Sequence, residues 1–269
     1  MNTSWLMGTP GRCKFIGIAA LLFLVCAVMT ITWCSSMSGM NGMPMPGGWT
    51  MSMTWMLMPG QSWPGAAASF VGMWIVMMGA MMLPSVAPAL WRYRRAVTRI
   101  NAPRVDLLTV LVAVGYFSIW TLLGIAVFPV GMTLASVLMQ YPSLARAVPL
   151  TISIVVFMAG LIQFTSWKAR QLECCRETTV CPCRASIDAR AAFKYGLRLG
   201  AHCSYCCAGM TAILLVIDVM DIRAMAVLTA AITLERLLPA GLRVAQVIGV
   251  ITVAVGLYFF LYNISALEI

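Results

Sequence analysis

Seven long runs of apolar residues limit this chain to one class of structure. They fall near Phe15–Trp33, Ala66–Leu90, Asp106–Phe128, Val148–Trp167, Cys203–Met220, Arg223–Leu238 and Val244–Tyr262, and about 20 helical residues cross a hydrocarbon core. Hydrophobic residues make up 61% of the 269 and charged residues only 10%, where a soluble domain carries roughly a quarter charged residues. Lipid admits only elements that satisfy their own backbone groups, namely helices or closed barrels. The runs are continuous rather than alternating, which selects helices. The expected fold is all-α, a polytopic transmembrane helix bundle of about seven spans. The number falls to six if the short sixth run, broken by Glu235 and Arg236, does not cross. Pro84 and Pro88 predict a kink or unwinding at the end of the second run.

No internal repeat or soluble domain interrupts the runs, so residues 1–269 read as a single integral membrane domain. Residues 1–33 form an N-terminal anchor span, 34–65 a Met-rich periplasmic loop, and 66–269 a helix bundle with a Cys-rich cytoplasmic loop at 167–202. Basic residues accumulate on the cytoplasmic side of membrane proteins. With a cytoplasmic N-terminus, sixteen of the eighteen Lys and Arg residues fall inside, leaving Arg146 and Arg223 outside. The net charge of +10 is then a topology signal that also favours lipid headgroups, with no call for nucleic acid. Arg12 and Lys14 before an apolar core resemble a signal peptide, yet Thr30-Ile31-Thr32-Trp33 offers no small-x-small cleavage site. The first run is therefore expected to stay as an uncleaved anchor. The expected location is the bacterial inner membrane, multi-pass, with Trp91, Tyr93, Trp167, Tyr258 and Tyr262 as interfacial anchors.

Sulfur is the second distinctive feature: 22 Met and 10 Cys against one His. In the outer loop, Met37, Met40, Met43, Met45, Met51 and Met53 recur among Gly, Pro, Ser and Thr, a pattern that predicts a flexible polar segment. Thioethers are soft, uncharged and insensitive to pH, and they select Cu(I) or similar ions. The same residues could instead pack on the membrane surface, and Cys34 could add a ligand or cap the first span. In the second run Met73, Met77 and Met81 stack at i, i+4 and i+8, with Met78 and Met82 one residue round. They are either core filler or a sulfur ladder across the membrane. The third group is Cys174, Cys175, Cys181, Cys183, His202, Cys203, Cys206 and Cys207, the only His and seven Cys within 34 residues. A reducing cytosol disfavours structural disulfides, so soft-metal ligation is the leading reading. Cys203 and Cys206 are expected one turn apart near a helix N-terminus, which with Arg198 would favour the thiolate. Asp218, Asp221 and Glu235 are the carboxylates near span ends. Glu235 beside Arg236 reads as a functional acid or a helix–helix polar contact.

Phe70-Val-Gly-Met-Trp-Ile-Val-Met-Met-Gly-Ala-Met-Met-Leu-Pro-Ser85 with Pro88 and Arg92-Tyr-Arg-Arg95, then Gly196-Leu-Arg-Leu-Gly200, His202-Cys-Ser-Tyr-Cys-Cys207, Glu235-Arg236 and Pro239-Ala-Gly241, together resemble a family. It is a bacterial family of predicted metal-binding integral membrane proteins catalogued as domain of unknown function 2182. The resemblance covers roughly residues 45 to 262. It implies metal-related roles for Met81, Met82, Pro84, His202, Cys203, Cys206, Cys207 and Glu235. This chain departs from the family in its adjacent Cys174-Cys175-Arg176 and in Arg236 after Glu235.

No Walker A motif, dinucleotide loop, His-Glu-x-x-His or nucleophile elbow occurs, so no enzymatic activity is expected. The leading expectation is a soft-metal-binding membrane protein, with Cu(I) as the metal, that transports copper or delivers it to a copper enzyme or metallochaperone. Thioethers outside and thiolates inside would form a gradient of ligand strength. Mercury transport, a membrane thiol oxidoreductase, and a non-catalytic assembly factor of a copper enzyme are the alternatives.

Overall fold

The computed structural model describes residues 10–38, 42–57, 60–176 and 188–267. The chain is an all-α bundle of α1 (Pro10–Ser38), α2 (Trp63–Arg99), α3 (Val105–Gln140), α4 (Pro142–Ile162), α5 (Ser166–Arg176), α6 (Ala189–Ile217), α7 (Ile222–Leu237) and α8 (Gly241–Leu267). Six of these, α1, α2, α3, α4, α6 and α8, are long and apolar enough to cross a membrane. Ile18, Leu21, Val130, Val227 and Leu261 are each more than half exposed, as side chains are when lipid is the solvent.

Side-chain contacts give the helix directions. Phe15 meets Trp91, and Cys26 lies against Gly79, so α1 and α2 run antiparallel. Phe70 meets Phe128 and Arg94 pairs with Asp106, which makes α2 and α3 antiparallel too. The pairs Gly160–Val253, Phe157–Gly256 and Ser153–Asn263 set α4 antiparallel to α8. These directions gather the basic residues at one end of the bundle, with Arg146 and Arg223 at the other.

Three sequence expectations need correction. The run Arg223–Leu238 forms α7, which is only 16 residues long and is not among the six spanning helices. At 1.5 Å per residue it is about 24 Å long, short of a hydrocarbon core of about 30 Å. It nevertheless returns the chain from the C-terminal end of α6 to the start of α8. Second, the unwinding expected at Pro84 and Pro88 does not occur, and α2 continues as one helix through both. Packing on both sides holds it, since Ser85 and Val86 between them are buried. Third, the Met-rich segment is not wholly a flexible loop. Met37 belongs to α1, and β1 (Met43–Met45) pairs antiparallel with β2 (Trp49–Met51) before a short 3-10 turn at Met53–Trp55. Gly47 and Gly48 carry the hairpin at φ of 103° and 76°, which side chains rarely adopt. The hairpin is pinned to the bundle by the Trp49 indole N–H, which donates to the Ala145 carbonyl at 2.8 Å.

The closest helix contact joins α3 and α6. A methyl group on Gly196 would lie 2.2 Å from the Val112 carbonyl oxygen, and one on Gly115 would lie 2.4 Å from that of Phe193. Only hydrogen fits at these crossings, and the small residues let the two backbones touch. That contact sets the depth at which α6 presents its cysteines to α3.

Candidate metal centre

α6 begins after Asp188, whose side chain accepts the Arg190 N–H. Cys203 therefore sits in the middle of the helix, and the expected helix-N-terminus effect on its thiol does not apply. The spacing 203, 206, 207, 210 puts Cys203, Cys206, Cys207 and Met210 on one face, and each is 3% exposed or less. Cys203 Sγ lies 2.8 Å from Tyr116 Oη. Cys207 interacts electrostatically with both Cys203 and Cys206, so a phenol and three thiols form one buried group inside the bundle.

Charged side chains from α5 and α7 surround these thiols. Lys168, one of the basic residues expected on the cytoplasmic side, is 3% exposed. Its Nζ donates to the Cys206 carbonyl at 2.7 Å and to Glu235 at 2.9 Å. The second Glu235 oxygen accepts from Gln163 Nε2 at 3.1 Å. Burial alone would lower the Lys168 pKa, but the groups of Cys206, Glu235 and Cys207 outweigh it and raise the pKa above the ordinary lysine value. Glu235 thus pairs with Lys168 from α5, 67 residues away. The Arg236 guanidinium turns to Ser85 Oγ at 3.5 Å on α2 and acts electrostatically on Tyr116, Cys203 and Cys207.

The Met ladder leads to the same level. Met73, Met77, Met78, Met81 and Met82 are all 4% exposed or less, so both ladders face the interior. From Met73 to Met82 they cover roughly 14 Å at 1.5 Å per residue. Met82 is one turn before Ser85, whose hydroxyl donates to the Met82 carbonyl. At the opposite end, Met45 and Met51 are buried against Ala135 and Ala145, while Met43 is 42% exposed. Two of the hairpin thioethers therefore pack, and a third faces outward.

His202 lies on the flank of α6 toward α5, its Nδ1 3.1 Å from Gln171 Oε1. Cys174 and Cys175 fall in the last turn of α5, and Met40, Cys181 and Cys183 lie outside the described residues. Among the described residues, no three His, Cys, Asp or Glu side chains make a preformed metal cage. Tyr116 and Lys168 were not legible as neighbours of the cysteines. Their only signals were a tyrosine inside an apolar run and a lysine at a run's end.

A family model described as PpoB2, copper chaperone, matches residues 71–259. No curated protein and no solved structure matches the chain. The matched segment begins at the Met ladder and takes in Cys203, Cys206, Cys207 and Glu235. The match supports a copper-related family without carrying the name domain of unknown function 2182. The chain belongs to the PpoB2 family of copper chaperones.

Proposed function

We propose that this copper-related membrane protein binds Cu(I) inside the bundle and delivers it to a copper enzyme or metallochaperone. Cys203, Cys206 and Cys207 are the holding ligands. The observation that carries this reading is the group of three buried thiols on one face of α6, beside Arg236. Burying an unpaired anion costs several kcal/mol. A thiolate site within the membrane needs a counter-charge, and Arg236 and the metal supply it. Zn(II) usually demands four well-placed ligands, whereas Cu(I) is suited to soft sulfur donors.

Met73, Met77, Met81 and Met82, with Met78, provide neutral thioethers between the hairpin end and the thiols. An ion moving along them exchanges one soft donor for another without water. The excess of Lys and Arg at the thiol end supports a cytoplasmic position for that end under the positive-inside rule. The N-terminus is then cytoplasmic, in an inner membrane. Cys174, Cys175, Cys181 and Cys183 would extend the thiol set towards a cytoplasmic partner, and His202 lies at the same edge.

The test is Cu(I) titration of the detergent-purified protein against a chromophoric chelator, with Hg(II) and Zn(II) in parallel. The variant Cys203→Ser/Cys206→Ser/Cys207→Ser is expected to lose at least one bound Cu(I) per chain. Full stoichiometry in that variant overturns the reading. Tighter retention of Hg(II) than Cu(I) under glutathione competition would favour mercury transport, to which adjacent Cys206 and Cys207 are also suited.

A further inference from the structure

A second group of sulfur ligands lies at the far end of the bundle, where the last turns of α1 meet the turn between α6 and α7. Cys34 is 2% exposed, and its Sγ is 3.7 Å from Met220 Sδ. The two residues are 186 positions apart, and neither belongs to the Met-rich repeat that draws attention in the sequence. Met220 also lines a cleft of about 450 Å³ between the hairpin and the α6–α7 turn. The other walls include Met37 at the end of α1, Met51 and Met53 beside the hairpin, and Asp218.

We propose that Cys34 and Met220 form an outer site for a soft monovalent ion, Cu(I) or Ag(I), with Met37, Met51 or Met53 as the third donor. The site deepens the copper reading and rests on it for the identity of the natural ion. Metal–sulfur bonds of about 2.3 Å put two sulfurs on one ion at most about 4.6 Å apart. A separation of 3.7 Å corresponds to a sulfur–metal–sulfur angle of about 107° with bonds of that length. That bent geometry leaves the ion open to a third ligand on the cleft side, where the other thioethers stand.

Charge supports the assignment. Asp218 acts electrostatically on Cys34, and its carboxylate accepts the Met220 N–H at 3.0 Å. One carboxylate therefore fixes the Met220 backbone, and with Asp221 it outweighs the single Arg223 guanidinium that also lines the cleft. Asp221 makes its hydrogen bonds elsewhere, since it accepts the Arg223 and Ala224 N–H groups at the start of α7. A bound monovalent cation replaces the thiol proton one for one, so loading releases one proton and leaves the net charge of the site unchanged.

The experiment uses the full chain in the Cys203→Ser/Cys206→Ser/Cys207→Ser background, which removes the inner thiols, with Ag(I) and Cu(I) as probes. That background is expected to retain one ion more per chain than the same protein carrying Cys34→Ser and Met220→Leu in addition. Cys34→Ser changes one atom and Met220→Leu conserves volume; elution as a monodisperse peak verifies folding. Copper-edge X-ray absorption on the background variant should show a sulfur-only shell that disappears with the two added changes. Equal stoichiometry and equal spectra with and without Cys34→Ser/Met220→Leu overturn the outer site. Loss of all copper in the background variant would also overturn it while leaving the proposed function standing. A background variant that binds as much as the unaltered protein would instead sink the inner site.

Discussion

Replacing Glu235 by Leu tests whether the polar network that frames the thiols is structural. Glu235 and Lys168 are 2% and 3% exposed and pair at 2.9 Å. Leucine removes the carboxylate and leaves the Lys168 ammonium in the interior with the Cys206 carbonyl as acceptor. Breaking a buried pair by deleting one partner costs about 3–5 kcal/mol, whereas replacing both by apolar groups is often neutral. The structure places this pair deep enough for the upper half of that range, because neither group can turn to water without moving α7. The double change Lys168→Met/Glu235→Leu should recover most of the loss. The assay is reversible unfolding in mixed micelles of wild type, both single variants and the double variant, closed as a double-mutant cycle. The same four proteins are then titrated with Cu(I). A Glu235→Leu variant within about 1 kcal/mol of wild type would show that the ammonium finds water or deprotonates cheaply, and would refute the argument. A double variant as unstable as the single ones would refute it as well.

Gly196→Ala should separate α3 from α6, because the new methyl would stand 2.2 Å from the Val112 carbonyl oxygen. A loss of about 1–3 kcal/mol is expected, together with weaker Cu(I) binding, in the same titration. Tyr116→Phe removes the 2.8 Å contact with Cys203 and should cost about 0.5–1.5 kcal/mol while leaving Cu(I) stoichiometry intact; a lost equivalent would make the phenol a ligand. Changing Met77, Met78, Met81 and Met82 together to Leu conserves volume, so folding should hold while transfer of Cu(I) to the thiols, followed by stopped flow, slows. A maleimide that cannot cross membranes should leave the exposed Cys13 unlabelled in spheroplasts and label it in everted vesicles. The reverse pattern would invert the orientation.

Hydrophobicity decides where helices of a membrane protein lie, and it is a property of local sequence. That is why six spanning helices fall on six of the apolar runs, differing from them mainly at the ends. The ends moved because polar and basic residues extend a helix beyond lipid at no cost to its backbone bonds, as Arg92–Arg99 do in α2. The hairpin was hidden because Gly and Pro predict a turn without saying what it packs on, and Ala145 is 96 residues from Trp49. The cysteine face of α6 was readable from its spacing, since 203, 206 and 207 share one face in any helix. Its surroundings were not. Tyr116, Lys168, Gln163 and Ser85 reach the site from three other helices and the α4–α5 turn, and no local pattern pairs residues that are 38 to 151 positions apart.

The shortness of α7 explains why charge is found at the thiols at all. Its N-terminus is fixed at the hairpin end of the bundle by Asp221, whose side chain accepts the Arg223 and Ala224 N–H groups. Sixteen residues later the helix ends about 24 Å away, so Glu235 and Arg236 stop within the bundle instead of reaching the interface. A full span of about 20 residues would carry them one turn further, into headgroups and water. Held short, each must find a partner inside: Glu235 takes Lys168, and Arg236 faces Ser85 and the thiols. The feature that made this run the weakest span in the sequence, a carboxylate and a guanidinium in its last turn, is therefore what supplies α6 with a partly buried positive charge beside Cys203 and Cys207. Inserting one helical turn of Leu-Ala-Leu-Ala after Leu228 should move both charges outward by about 6 Å. The lengthened α7 should still insert, since it becomes more apolar, yet Cu(I) binding at the thiols should fall at least tenfold. Unchanged affinity would show that the thiols hold copper without help from Arg236.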